Sequence, residues 1–568
     1  MWFNPRVTEN ELAGVTTPTR GPRRRTTWLV VAACVAAVVA VVAVVAAVLT
    51  EPWAFGSGAD DASSGPPVAA AAPRFEDVTT SAGLAHVYDG EFEFFVGGGV
   101  AALDCDDDGR TDLYFAGGAR PASLWRNESR PGDVRLVREP SAVTDLERVT
   151  GAYPLDIDGD DVLDLVVLRH GANRILRGTG DCRFEVANDD LGIDGGDEWT
   201  TAFSATWEGD NDLPTLAFGN YLTTDRERCA DSELVRPGAD GGYGEPVRLT
   251  PGHCTLSVLF SDWDGSGRAD LRVTNDRHYY REGGEQLWRI EEGEPPTAYT
   301  ADDGWRPIQI WGMGIASHDL TGDGLPEVFL TSQGDNKLQT LAEGRSRPAY
   351  RDIALRAGAT AQRPYAGGDV LPSTAWHPEF DDLNNDGYVD LFVTKGNVEA
   401  QPDHAMRDPD NLRIGQPDGT FTEAGTSAGI VGFERGRGAV VTDLDLDGHL
   451  DIVVVNRRTT PTIWHNLGTP SDDTAWIEIG LRQDAPNVNA VGAHVEVRVG
   501  DAWRIEEVTV GGGHAGGESG PLHVGLGAAE SAEVRVVWPD GEVGPWFEVD
   551  AGARVIADRD AEPQISVE

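Results

Sequence analysis

The sequence predicts an all-β protein: a seven-bladed β-propeller, a small β-sandwich domain after it, and one N-terminal transmembrane helix. Three observations carry this. An acidic nonapeptide recurs along the chain, short apolar runs frame each copy, and one uncharged apolar stretch stands near the amino terminus. The composition sets the outer bounds. The 568 residues carry 94 Asp and Glu against 46 Lys and Arg, a formal charge of −48. Phosphate backbones need a basic stripe, so a nucleic-acid partner is excluded.

From the amino terminus, residues 1–27 read as a basic cytoplasmic tail, with Arg20, Arg23, Arg24 and Arg25 just before the apolar stretch Trp28–Leu49. A helix of that length spans a bilayer, and the basic flank stays inside. The expectation is an uncleaved signal-anchor in the cell membrane, single-pass, with the C-terminal bulk extracellular; a cleaved signal peptide is the alternative. Residues 50–73, rich in Ala, Gly, Ser and Pro, read as a flexible linker.

The repeats occupy residues 74–470. The loop Asp104, Asp106, Asp108, Asp112 returns as Asp156, Asp158, Asp160, Asp164 and as Asp262, Asp264, Ser266, Asp270. It continues as Asp319, Thr321, Asp323, Glu327, then Asp382, Asn384, Asp386, Asp390, and ends as Asp443, Asp445, Asp447, Asp451. A worn copy, Trp207 to Thr215, keeps its flanking strands and loses its ligands, which makes seven units. Each loop joins two β-rich runs, so it is a hairpin connection. A third strand follows (SLWRN at 123–127, TIWHN at 462–466), then a fourth (FEVAN at 184–188, FTEAG at 421–425). Four strands per unit make a propeller blade. The strand FEDVT at 75–79 precedes the first loop and none follows TIWHN, so the amino-terminal strand is expected to complete the seventh blade and close the ring.

Oxygens at positions 1, 3, 5 and 9 of a tightly curled loop form a cage for a hard dication. Several protein oxygens and little room for water favour Ca2+ over Mg2+. About six structural calcium sites are expected. An EF-hand is excluded, because position 12 is Phe115 in the first copy and Val454 in the last, both inside strands.

Cys105, Cys182, Cys229 and Cys254 form no CxxC pair. Three disulfide pairings are open. Cys229 and Cys254 bracket one insertion, which favours their pairing and leaves Cys105 for Cys182; buried free thiols are the alternative. No GxSxG, HExxH or Cys/His nucleophile pattern occurs. His514, in the glycine run GGGHAGG, reads as a flexible hairpin tip, with ligand binding as the sharper option. His278-Tyr279-Tyr280, Trp305 and Trp311 are ordinary packing or a binding surface, and Asn127-Glu-Ser129 matches a glycosylation sequon.

Residues 474–560 alternate in short runs such as His494-Val-Glu-Val-Arg-Val with glycine-rich turns between, the pattern of a half-buried antiparallel sheet. With the DxDxDGxxD loops and FEDVTTSAGL at 75–84, the segments NVNAVGAHVEVRVG at 487–500, GGGHAGGESGPLHVGLG at 511–527 and VVWPDG at 536–541 resemble the FG-GAP/VCBS repeat family, in its cartilage-acidic-protein-like group with a C-terminal ASPIC/UnbV domain. Asn489-Ala490 departs from the Arg-containing pair usual there, so no ligand role is carried onto that stretch. The resemblance implies an integrin-α-like propeller in an extracellular calcium-binding protein linked to adhesion or matrix contact. The expected function is a membrane-anchored, calcium-dependent interaction module for a protein or glycan partner, not catalytic. The alternatives are an extracytoplasmic enzyme acting on a polysaccharide or small cofactor in the propeller channel, and a structural spacer without a partner.

Overall fold

The computed structural model describes residues 71–239, 241–276, 283–360, 363–471, 474–500 and 502–567. The basic tail, the segment Trp28–Leu49, most of the linker and His278-Tyr279-Tyr280 lie outside the described residues. The single-pass placement is corrected here: no helix among the described residues is long and apolar enough to cross a membrane. Those helices run three or four residues, where a span needs about 20.

The described chain is all-β and propeller-like. Its repeating element is a four-stranded antiparallel meander, as in Val149–Leu155, Asp164–Arg169, Arg174–Gly178 and Phe184–Val186. The first strand is buried end to end and the fourth is half exposed, so each sheet runs from core to surface. Every acidic loop joins a first strand to a second. Phe75–Asp77 pairs antiparallel with Thr462–Asn466, so an amino-terminal strand completes the last sheet of the series. One apolar cluster unites Leu103, Leu165, Val440 and Val453, drawn from the first, second and last of these sheets.

Two asparagines fasten neighbouring sheets. Asn127 Nδ2 donates to the Leu444 carbonyl at 2.7 Å, and Asn466 Nδ2 donates to the Leu383 carbonyl at 2.9 Å. Each ends a third strand and reaches the position-2 carbonyl of the adjacent acidic loop. Asn127 is 1% exposed, so the sequon it opens is a structural clamp rather than a glycan acceptor. Disulfides join Cys105 to Cys182 and Cys229 to Cys254. The first ties an acidic loop to the next sheet. Such bonds persist in oxidising compartments.

From Ala475 onward the chain forms two further four-stranded sheets. They share an apolar cluster that includes Ile477, Val495, Val524, Val534 and Val555. Alternate residues of Ser531–Val537 are buried, as the period of two requires.

Candidate functional site

The acidic loops wind themselves in one way. The position-1 carboxylate accepts the backbone N–H groups of positions 5 and 6: Asp104 from Asp108 and Gly109, Asp262 from Ser266 and Gly267, Asp382 from Asp386 and Gly387, Asp443 from Asp447 and Gly448. Asp156 and Asp319 do the same. Position 6 needs positive φ: Gly109 takes +80°, while the second loop places Asp161 there at +67°. Asp tolerates that region better than most side chains.

Position 9 has a different first task. Asp112 accepts the N–H of Cys105 (3.0 Å) and of Asn127 (2.7 Å). Asp164, Asp390 and Asp451 repeat the pattern, from position 2 of their own loop and from the third strand. Asp270 accepts from Ile290 N–H and Trp263 Nε1–H, and Glu327 from Leu320 N–H. This residue braces the hairpin before it serves any ion.

Position 3 points to a cation. Arg126, Arg177 and His465 hold the same place in their third strands, and each faces the position-3 aspartate of its own sheet. Arg126 lies 3.7 Å from Asp106 Oδ2, Arg177 2.7 Å from Asp158 Oδ2, and His465 3.9 Å from Asp445 Oδ2. The other oxygen of each, Asp106 Oδ1, Asp158 Oδ1 and Asp445 Oδ1, is buried without any hydrogen-bond partner. A buried carboxylate oxygen left so is strongly disfavoured unless an ion takes it. Carboxylate oxygens of Asp104, Asp106 and Asp108 lie within 4.8 Å of one another, as do those of Asp156, Asp158 and Asp164. Burial pushes Asp112 and Asp164 up to about 7 and Asp443 up to about 8. At neutral pH such groups need a positive partner to stay ionised. The donors therefore fit a divalent cation. Ser266, Thr321 and Asn384 turn instead to carboxylates of their own loops.

The worn third loop has its own cation. Glu208 folds inward, accepts the Thr215 hydroxyl at 2.6 Å, and pairs with Arg236 through both oxygens, at 2.7 and 2.8 Å. Sequence reading missed Arg236 and His465. The recurring basic residue before the end of SLWRN, RILRG and TIWHN was the available signal for His465. The C-terminal sheets also reach these loops: Arg554 Nη2 lies 3.0 Å from Asp443 Oδ2, and Glu507 Oε1 accepts the Asp262 N–H at 2.7 Å.

His514 corrects the expectation of a flexible tip. Residues 510–519 run among the first strands of the repeated sheets. Val510 bridges to Ala205, Gly511 to Leu259, Gly513 to Ile315 and Gly516 to Ala152, and Gly517–Ser519 pairs parallel with Ala101–Leu103. Glycine is required where backbones meet this closely: a Cβ on Gly99 would lie 1.7 Å from the Ala515 carbonyl oxygen. His514 is 0% exposed. Its Nε2 accepts the Gly97 N–H (3.2 Å), so Nδ1 carries the proton, facing the Met313 carbonyl at 3.1 Å. The imidazole packs on Trp376, and its own backbone N–H donates to His377 Nδ1 at 3.0 Å. His377 Nε2–H then donates to Glu379 at 2.7 Å.

Burial lowers His514 to about 3. Its folded value is below the unfolded one, so its neutral form adds stability above about pH 6.5, which is lost as pH falls toward 3. The stability gap between wild type and His514→Gln should therefore shrink by about 2–3 kcal/mol from pH 7 to pH 4.5. Denaturant titrations at the two pH values measure it; an unchanged gap refutes the neutral, buried imidazole.

Beneath this plug lies a cavity of about 390 Å³. Oxygens of Glu379, Asp381 and Glu518 converge there within 4.8 Å of one another. Glu518 lines this cavity, and desolvation holds it and Asp381 well above the carboxylate range.

Comparison with known proteins agrees with this anatomy. The profile described as FG-GAP-like repeat matches residues 104–167 and 382–454, and that described as ASPIC and UnbV matches residues 483–563. The chain carries FG-GAP-like repeats and an ASPIC/UnbV domain. Cartilage acidic protein 1 of Mus musculus and of Homo sapiens are each 25% identical over 235 residues, 41% of this chain. The match spans about a third of those relatives, 34% and 33% of their length. Among solved structures, BP39L lectin from Burkholderia pseudomallei aligns at 10% identity and a TM-score of 0.42, covering 66% of this FG-GAP chain and 98% of the lectin. Trypanosoma rangeli sialidase aligns at 12% and 0.33, covering 60% and 57%.

Proposed function

We propose that this FG-GAP chain is a calcium-stabilised interaction module without catalytic activity, whose seven-bladed propeller is closed by strand exchange and plugged by its ASPIC/UnbV domain. Seven sheets among the described residues with strands between Phe75 and Asn466 favour that blade count, six of four strands and one of five, in which Gly517–Ser519 is added to the four strands from Val100 to Glu139. The carrying observation for calcium is the trio of buried, partnerless position-3 oxygens on Asp106, Asp158 and Asp445. The ions would stiffen the loops on which the C-terminal sheets rest, and the opposite end of the ring would meet a protein or glycan. The test presents the immobilised full-length chain with panels of glycans and matrix proteins in calcium, then in EGTA. Binding present in calcium, lost in EGTA and restored on re-addition supports the reading; binding indifferent to EGTA, or none at all, overturns it.

A second reading is favoured by one observation. The carboxylate trio of Glu379, Asp381 and Glu518, with His377 beside Glu379, is an acid/base cluster inside the channel. Hydrolysis of a glycoside panel, abolished by Glu518→Gln without loss of fold, would establish it.

A further inference from the structure

The sheet of the last acidic loop differs from its neighbours in one donor. Its third strand, Thr462–Asn466, carries His465 where Ser123–Asn127 and Arg174–Gly178 carry Arg126 and Arg177. A guanidinium has no lone pair to offer a metal, whereas an imidazole has one. Asp445, Asp451 and His465 are all buried, and one ligand atom of each lies within 4.8 Å of the other two. Nδ1 of His465 faces Asp451 Oδ1 at 2.9 Å, and the Asn466 N–H donates to the same oxygen at 2.8 Å. A carboxylate that holds one ring N–H in this way leaves the other nitrogen to a metal, the arrangement usual around metal-bound histidines. Nε2 lies 3.9 Å from Asp445 Oδ2. That is beyond hydrogen-bond distance, yet two ligands on one ion stand up to about 4 Å apart. Asp445 supplies the independent sign. It is 0% exposed, its Oδ2 accepts the Gly132 N–H, and its Oδ1 has no partner. Gly132 comes from the first sheet, so the unfilled oxygen sits where the first and last sheets meet.

We propose that the last acidic loop holds a divalent transition-metal ion, of the zinc and cobalt class, through His465 Nε2 and Asp445 Oδ1, with Asp451 orienting the imidazole. This rests on the reading that ions fill the acidic loops and names a different ion for one of them. Imidazole nitrogen suits such ions, whereas calcium takes oxygen ligands. Oxygen is also scarcer here, because the position-1 carboxylate Asp443 already meets Arg554 Nη2 at 3.0 Å. Position 5 supplies a further carboxylate, Asp447, whose Oδ1 accepts the His449 N–H. The rival role for His465 is that of the two arginines, a protonated counter-charge. With no ion bound, the Asp451 hydrogen bond does push the imidazole up to about 9, so the ion binds by displacing the Nε2 proton. Calcium enters this loop when no such ion is present.

The experiment adds Co2+, and in parallel Zn2+, to the tag-free full-length chain, first stripped of metal and then held in millimolar calcium. Calorimetry and visible absorption follow binding, and proton NMR looks for a paramagnetically shifted imidazole N–H. The expected result is one equivalent of Co2+ bound at micromolar concentration despite the calcium, with one strongly shifted exchangeable signal, the Nδ1–H donated to Asp451. His465→Arg, which installs the residue of the sister strands, and His465→Gln should each weaken binding about a hundredfold or more and remove that signal. Melting in calcium checks that both variants are folded. Absence of Co2+ and Zn2+ binding overturns the proposal, as does binding that a folded variant retains. Neither result touches the calcium reading, which stands on the EGTA response of the same protein. A chain that ignores calcium yet binds one Co2+ through His465 loses that reading and keeps this site.

Discussion

Chelating calcium from the full-length chain should lower its melting temperature by about 8 °C at a reference concentration of 1 mM. The estimate starts from extracellular-type affinities near 10⁻⁴ M, so that each loop sits roughly tenfold above its dissociation constant. Linkage then gives about 1.4 kcal/mol per site, and about 8 kcal/mol over the six intact loops. With an unfolding entropy of about 2 cal/mol/K per residue, a folded unit near this size shifts by about 1 °C for each kcal/mol. Asp104→Ala with Asp106→Ala should remove about one sixth of the calcium response. In EGTA the same variant should match or exceed wild type, because burial and the neighbouring carboxylates already hold Asp104 and Asp106 above their ordinary range. That reversal of sign separates an ion site from a merely hydrogen-bonded turn. Differential scanning calorimetry in calcium and in EGTA measures both; a wild-type transition unmoved by EGTA sinks the calcium assignment. Chelation should also loosen the C-terminal sheets, since Arg554 rests on Asp443 and Glu507 on the Asp262 loop.

The repeat unit was legible because it is local. Loop, flanking strands and the third and fourth strands all lie within some sixty residues, and short apolar runs bounded by Gly and Asp mark them in order. The amino-terminal strand was legible by its absence elsewhere, and Phe75 does face Asn466 in the last sheet. The plug was not. GGGHAGG has the composition of a mobile turn, and only contacts with residues over a hundred positions away decide otherwise, such as Gly97 on His514 and Ala515 on Ala152. Position 9 was misread in emphasis for a similar reason. The spacing says that Asp112 can reach an ion, but its hydrogen bond to Asn127 N–H depends on how the third strand returns. Asn127 shows the converse: a surface motif in sequence became a buried clamp once the neighbouring sheet arrived. The membrane helix rested on the apolar length of Trp28–Leu49 and on the arginines before it, and the described helices give it no counterpart.

Gly151→Ala should dislodge the plug. A Cβ at that position would lie 2.0 Å from the Ala515 carbonyl oxygen and 2.8 Å from its carbonyl carbon. Those are backbone atoms, so no rotamer change relieves the clash. Gly151 itself has ordinary φ, which leaves steric overlap as the whole effect. Residues 510–519 must move by an ångström or more, and their bridges to Ala205, Leu259, Ile315 and Ala152 are spaced too closely to survive singly. His514 would lose the Gly97 N–H and the Met313 carbonyl together, leaving a neutral imidazole buried without partners. Overpacking a core by one methyl costs about 1–3 kcal/mol, and the displaced histidine puts this case at or above the upper end. Gly520→Ala is the control: the same segment, ordinary φ, and nothing within 4 Å of the added carbon, so its effect should stay within about 0.5 kcal/mol. Limited proteolysis should cut the Gly151→Ala protein within residues 508–520 and spare wild type and Gly520→Ala, while fluorescence from Trp376, freed of the imidazole, should change in the same variant alone. Equal stability and equal protease resistance of the two alanine variants would mean that the glycine run does not fill the channel in solution. The acidic loops alone would then have to hold the C-terminal sheets, through contacts such as Arg554 on Asp443 and Glu507 on the Asp262 N–H.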